Sequence, residues 1–314
     1  MTVREAYEQG TKSLVQSKIE EAKLDAWYLL EFVTGMSRAV YFADADREMT
    51  AEWEARYLEL IQKRSERIPL QHLTGVQEFM GLEFQVNEHV LIPRQDTEVL
   101  VETALDFLKW RGEMDVEILD LCTGSGCILL SILFHTRQER CKGKVSGVGA
   151  DISPEALAVA RENGVQLGID AAWKQGDLFE ALGTAEEDEA ETHRFDLIVS
   201  NPPYIRSDVI ETLQPEVRDH DPYLALDGKE DGLFFYRRII EESPSYLKDG
   251  GWLMFEIGSD QGSSVSGLMQ KAGFQSVSVK KDLAGLDRVV SGMYDKCEGF
   301  EIERKEAFTI ERKE

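Results

Sequence analysis

Ile118-Leu119-Asp120-Leu121-Cys122-Thr123-Gly124-Ser125-Gly126 reads as a buried strand, a glycine turn and the approach to a helix. Gly124 and Gly126 let backbone come close to a ligand, and the helix that starts at Cys127 offers unpaired N–H groups at its first turn. Dinucleotide-binding proteins use similar turns. Here Leu129 stands where the third glycine of Gly-x-Gly-x-x-Gly would fall. The spacing therefore disfavours a dinucleotide pyrophosphate, and with it a nicotinamide oxidoreductase.

Outward from this stretch, strands and helices alternate. Residues 145–150 form a second apolar strand, and Ser153-Pro154-Glu155 starts a helix with a capping serine and an N1 proline. Phe195–Ser200 is a strand, 233–240 a helix and 252–257 a strand, while 274–279 and 288–294 close the pattern as a strand pair. Such alternation predicts an α/β fold, a Rossmann-like, mainly parallel sheet with both faces covered.

Upstream, residues 1–72 read as helices. Thr2 and Glu5 suit a capping box, Leu24, Trp27, Tyr28 and Phe32 recur at helical spacing up to Gly35, and a helix opened by Thr50 runs past Trp53, Tyr57, Leu60 and Ile61 to Pro69. Aromatic stripes at this spacing read as bundle core. Residues 77–92, with Phe79, Leu82, Phe84, Val86, Val90 and Ile92 broken by Gly81 and Asn87, read as a β-hairpin. The expected organisation is a helical domain over 1–72, a hairpin linker over 73–93, a sheet domain over 94–296 and a tail over 297–314. Within the tail, 300–306 is nearly repeated by 308–314, with no function attached. The acidic run Glu186-Glu187-Asp188-Glu189-Ala190-Glu191 reads as a solvated insertion.

The chain has 314 residues and a net charge of −24. That balance argues against tracking along a phosphate backbone, which needs clustered Lys and Arg, so no direct nucleic-acid partner is expected. No apolar run has the length of a membrane span and the N-terminus lacks the apolar core of a signal peptide, which makes the cytoplasm the expected location. Four cysteines are too few and irregular for a disulfide framework, and no second pair or His cluster joins Cys122 and Cys127 to suggest a metal.

Chemistry-bearing residues fall at the ends of successive strands, where open α/β sheets bind ligands. Asp151 follows the second strand, where a carboxylate can accept both hydroxyls of a ribose or simply favour a helix start. In Gly176-Asp177-Leu178-Phe179 a carboxylate and apolar neighbours could frame an adenine ring, although Asp177 alone reads equally as a turn aspartate. Asn201-Pro202-Pro203-Tyr204 follows a third strand. Two prolines remove two N–H groups and fix φ near −65°, leaving a corner rich in carbonyl acceptors beside an Asn amide and an aromatic face. Such a corner suits a planar –NH2 group. An ordinary Asn-Pro turn is the bland alternative.

Together these motifs resemble class I S-adenosylmethionine-dependent methyltransferases that act on amino or amide nitrogen. Arg67-Ile68-Pro69-Leu70-Gln71-His72-Leu73-Thr74-Gly75 and Ile92-Pro93-Arg94-Gln95-Asp96-Thr97-Glu98, after a helical N-terminal region, narrow the resemblance to the peptide chain release factor glutamine methyltransferases. The resemblance covers residues 1 to about 295. It implies a seven-stranded sheet, S-adenosylmethionine without a metal, and class 1 release factors as protein substrates, methylated on the glutamine of a Gly-Gly-Gln tip. It also implies cofactor contacts at Asp120, Cys122, Thr123, Gly124, Ser125, Gly126, Asp151, Ile152, Asp177, Leu178 and Asn201. Asn201 and Pro202 would do the catalytic orienting, with Pro203, Tyr204 and Arg94 also on the substrate. Two departures stand out: Cys122 replaces a usual glycine, and Leu178 rather than an aromatic follows Asp177. The rivals are an N6-adenine or N4-cytosine methyltransferase using the same corner on a flipped base, and a non-catalytic scaffold that only binds the cofactor.

Overall fold

The computed structural model describes residues 1–138, 143–183 and 194–295. The acidic run 186–191, the tail 297–314, Cys141 and Cys297 lie outside the described residues. The chain divides into two compact units: residues 1–76, 86–88 and 213–221 form one, and residues 77–85, 89–212 and those from 222 onward form the other.

The first unit is helical: α1 (Val3–Gln16), α2 (Ala22–Thr34), α3 (Arg38–Asp44), α4 (Ala51–Ser65) and α5 (Leu70–Thr74). Local signals set most of these ends. Thr2 and Glu5 form the capping box, Thr50 accepts the Trp53 N–H, and Gly35 ends α2 in the left-handed conformation that only glycine adopts without strain. Pro69, expected to end the helix that Thr50 opens, instead precedes α5, because α4 already stops at Ser65. Val3, Leu14, Trp27, Leu30, Tyr57 and Leu60 fill the core, as the aromatic stripes predict. The segment 213–221 joins this core's rim through charge. Buried Arg64 donates to Asp25 at 2.7 Å and to Glu216 at 3.1 Å, and Arg67 also reaches Glu216 at 3.0 Å. Nothing in the periodicity around Glu216 signals that attachment.

In the second unit β1 (Val76–Phe79) and β2 (Leu82–Gln85) make the hairpin, shorter than the 77–92 expected, since Val90 and Ile92 are buried from a loop. After α6 (Glu98–Arg111) come β3 (Val116–Leu121), α7 (Cys127–Gln138), β4 (Val145–Asp151), α8 (Pro154–Leu167), β5 (Ala172–Gln175) and β6 (Phe195–Ser200). Then follow α9 (Phe234–Glu242), β7 (Leu247–Glu256), α10 (Gly262–Lys271), β8 (Gln275–Lys281) and β9 (Asp287–Met293). The seven-stranded sheet has the order β5-β4-β3-β6-β7-β9-β8. Its first five members are parallel, and β9 runs antiparallel to both neighbours.

Period-two alternation sends Ile118, Leu197, Val199 and Met254 to one face and Leu119, Leu121, Ile198, Leu253 and Phe255 to the other. Each set belongs to its own core, with α6 and α7 supplying Leu100 and Leu129 on the first side and α9 and α10 supplying Ile239 and Val265 on the second. Strand order reverses between β3 and β6, and Leu121 pairs with Ser200 at their carboxyl ends. Cys122 and Asn201 therefore leave the sheet side by side, at the place where doubly wound sheets hold ligands.

Candidate active site

The turn after β3 is held in an unusual backbone conformation. Cys122, Gly124 and Gly126 all have positive φ, at 59°, 54° and 78°. For a cysteine this region is strained, which explains why glycine suits the position. The strain is opposed by bonds on every side. Thr123 donates its hydroxyl to Asp120 at 2.6 Å and its N–H to Ala150 at 3.0 Å, and Ser200 donates to the Leu121 carbonyl at 2.8 Å. A Cβ at Gly126 would sit 2.9 Å from the Trp173 ring, so that residue must be glycine for packing as well. At Gly124 an added Cβ would meet nothing within 4 Å, so the turn is open on its outer side.

Asp151, at the tip of β4, closes on this turn. Its Oδ2 accepts the Gly124 N–H at 2.9 Å and its Oδ1 the Ser153 N–H at 3.0 Å. Each oxygen keeps a second lone pair for a ligand hydroxyl. Burial raises the Asp151 carboxyl above its ordinary value, opposed by the N–H groups of Ser153, Gly124 and Ile152. Ile152 is exposed beside it.

Several residues expected at the site turn their side chains inward. Asp120 has no exposed surface, and its carboxyl reaches the turn through Thr123. Leu178 is buried in the core with Phe179. Thr123 and Ser125 also turn their side chains inward, leaving their backbone for contact. Asp177 lies on the same rim, but both its oxygens accept Arg238 Nη1 from α9, at 3.0 and 2.9 Å. Cys127 is buried, and among the described residues no group of acidic, His or Cys side chains is suited to a metal ion.

At the end of β6, Pro202 and Pro203 are buried while Asn201 and Tyr204 are half-buried. Neither the Asn201 side chain nor the Pro202 carbonyl is hydrogen-bonded to another described residue. Tyr204 is anchored: its phenol donates to Glu256 at 3.3 Å and its carbonyl accepts Gln261 Nε2 at 3.1 Å. Arg94 is exposed at the start of the short turn before α6.

Three supports escaped sequence reasoning. Asn163, wholly buried on α8, donates to the Ser125 carbonyl at 3.0 Å while bonding both backbone groups of Gln85, so it ties hairpin to glycine turn. Arg238 and Gln261 are the others. Asn163 and Arg238 are polar residues on helices and Gln261 caps one, positions that periodicity reads as surface.

The sequence is similar along most of its length to proteins of known family. The family described as PrmC N-terminal domain matches residues 5–75, and the family described as Methyltransferase domain matches residues 113–288. A release factor glutamine methyltransferase of Geobacter sulfurreducens is 40% identical over 93% of this chain and 96% of its own length. One from Caulobacter vibrioides is 41% identical over 95% and 98%. Among solved structures, a release factor-specific protein-(glutamine-N5) methyltransferase from Alicyclobacillus acidocaldarius is 31% identical, with a TM-score of 0.38, over 68% of this chain and 99% of its own. With such identity along nearly its whole length, the chain belongs to the release factor glutamine methyltransferase family.

Proposed function

We propose that this protein transfers a methyl group from S-adenosylmethionine to the side-chain amide nitrogen of the glutamine in a release factor's Gly-Gly-Gln motif. The observation that carries this is the pairing of Leu121 with Ser200, which sets the glycine turn and the Asn201-Pro202 acceptors side by side. The residues of the turn fit the cofactor: an outer face open at Gly124, and Asp151 with spare lone pairs for two ribose hydroxyls. The sulfonium cofactor, when bound, supplies an activated methyl group.

An amide nitrogen is a poor nucleophile because its lone pair is delocalised into the carbonyl. The protein's task is position and electrostatics. Asn201 Oδ1 and the Pro202 carbonyl accept the two N–H bonds of the glutamine, which aims the nitrogen and favours the positive charge that grows on it. Pro203 and Tyr204 pack along the glutamine side chain, and exposed Arg94 takes part in binding the substrate. The proton leaves after transfer, so no strong base is required.

The helical unit recognises the folded release factor. A tripeptide buries far less than the roughly 1,000 Å² of a specific protein interface. Tyr28, Phe32 and Phe42 are exposed on that unit, Phe42 by 81%, as an interface would require. No described helix is long and apolar enough to cross a membrane, and the cytoplasm is the compartment in which we place the reaction. Offering labelled cofactor together with a release factor and DNA tests the substrate class. Label in the release factor is expected, and label in DNA alone would replace this function with base methylation.

A further inference from the structure

Behind the Asn201–Tyr204 corner lies a buried polar cluster with no part in the chemistry described so far. Glu256 ends β7 and is 2% exposed, and its Oε1 takes the Tyr204 phenol. Gln261, also buried, divides its amide between two backbone segments. Nε2 donates to the Tyr204 carbonyl at 3.1 Å and to the Gly232 carbonyl at 3.2 Å, while Oε1 accepts the Gly258 N–H at 3.0 Å. Tyr236 joins the same cluster by donating to the Glu256 carbonyl at 2.9 Å.

The backbone around Tyr204 is enclosed as well. Ile205 is bridged to the segment 226–228, with Ile205 N–H on the Leu226 carbonyl at 3.0 Å and Gly228 N–H on the Ile205 carbonyl at 2.7 Å. A Cβ at Gly228 would fall 2.7 Å from the Tyr204 Cα, and one at Gly232 2.5 Å from the Tyr204 carbonyl oxygen. Burying a carboxyl and a carboxamide is costly unless both are bonded. Apolar side chains would fill the same space more cheaply, so two polar ones converging on a single residue point to a demand for fixed geometry.

We propose that Glu256 and Gln261 are positioning residues for methyl transfer: by holding the phenol and the carbonyl of Tyr204 they fix, through the stiff Pro202-Pro203 link, where Asn201 and Pro202 meet the amide. The proposal rests on the reading of that corner as the substrate site. Glu256 is faced by Thr97, Tyr204, Arg288, Asp96, Tyr236 and Cys127, and Arg288 is itself paired with Asp96 and Asp282 at 3.1 Å. Burial, partly offset by Thr97, Arg288 and Tyr204, pushes the Glu256 carboxyl up to about 7. Above that pH the phenol donates to a carboxylate, a stronger hold than to a neutral acid.

The test uses the full chain with an intact release factor, comparing wild type with Glu256→Gln, Gln261→Glu, Tyr204→Phe, the Glu256→Gln/Tyr204→Phe double variant and Asn201→Ala. Turnover is normalised to folded enzyme by cofactor binding. Each positioning variant is expected to lose about 10- to 100-fold in kcat, the scale of a small misplacement of reacting groups, with cofactor affinity within about twofold of wild type. The double variant should lose little beyond Tyr204→Phe alone, because Glu256 acts through that phenol. Wild-type kcat should rise through a step near pH 7 that Glu256→Gln abolishes. Normal kcat in Glu256→Gln and Gln261→Glu beside an inactive Asn201→Ala overturns the proposal and spares the substrate site. Losses that multiply in the double variant also overturn it. Normal turnover in Asn201→Ala sinks the reading of the corner itself. Tyr204→Phe, which removes only one oxygen, keeps the comparison decisive if a Glu256 or Gln261 variant fails to fold.

Discussion

The Asp151 carboxylate accepts the Gly124 backbone N–H at 2.9 Å, joining the end of β4 to the glycine turn after β3 across 27 residues of chain. One side chain thus shapes the turn and faces the ligand rim. Asp151→Ala should weaken S-adenosylmethionine binding by about 1–3 kcal/mol, the scale of a lost charge-assisted hydrogen bond. Calorimetry giving unchanged affinity would remove Asp151 from the cofactor site.

Asn201 has no protein partner among the described residues for its amide, so its loss should disturb the fold little and the reaction a great deal. Asn201→Ala should reduce methyl transfer about 10²-fold or more, because it deletes an acceptor that matters most as charge develops. Cofactor affinity should fall much less. Near-normal turnover would contradict the role given to Asn201.

Most of the sheet was legible because its central strands are buried on both faces and read as short apolar runs: β6 has the bounds its sequence predicts, and β3 ends at Leu121 just before the quoted glycine turn. β5 escaped notice because Ala172–Gln175 is an edge strand with mostly exposed side chains. The rim residues Asp151 and Asn201 were legible because each directly follows such a run. What was not legible is long-range polar pairing. Nothing near Arg238 announces Asp177, and nothing near Glu216 announces Arg64. The buried state of Asp120 and Leu178 likewise depends on neighbours brought from elsewhere in the chain.

Asp120 makes stability depend on pH. Complete burial lifts its carboxyl from 3.8 to about 7, against hydrogen bonds from Thr123 and Leu129. Between those values the folded chain keeps a proton that the unfolded chain has released, so folding takes up a proton. Stability from this group is therefore full below about pH 3.8 and declines until about pH 7. Glu256, lifted from 4.5 to about 7, acts in the same sense. Asp120→Asn keeps an acceptor for Thr123 without the ionisation. In cofactor-free protein, its urea midpoint relative to wild type should climb between about pH 4 and pH 7 and then level off. A difference that stays flat across that window would mean Asp120 is ionised in the folded chain.

Removing residues 1–72 would also strip segment 213–221 of Arg64 and Arg67, its partners at Glu216. Surface variants are the cleaner probe of release factor recognition. Phe42→Ala combined with Phe32→Ala should raise KM for the intact factor about tenfold or more, as loss of exposed aromatic anchors does at interfaces. Cofactor affinity should not change. An unaltered KM would assign the helical unit no part in recognition through this surface.

The most direct measurement is fragmentation mass spectrometry of a release factor after incubation with the enzyme and S-adenosylmethionine. A single methyl group on the side-chain nitrogen of the Gly-Gly-Gln glutamine, absent with Asn201→Ala, is the predicted result. A methyl group on any other residue, or an unmodified glutamine beside an enzyme that binds the cofactor normally, would contradict it.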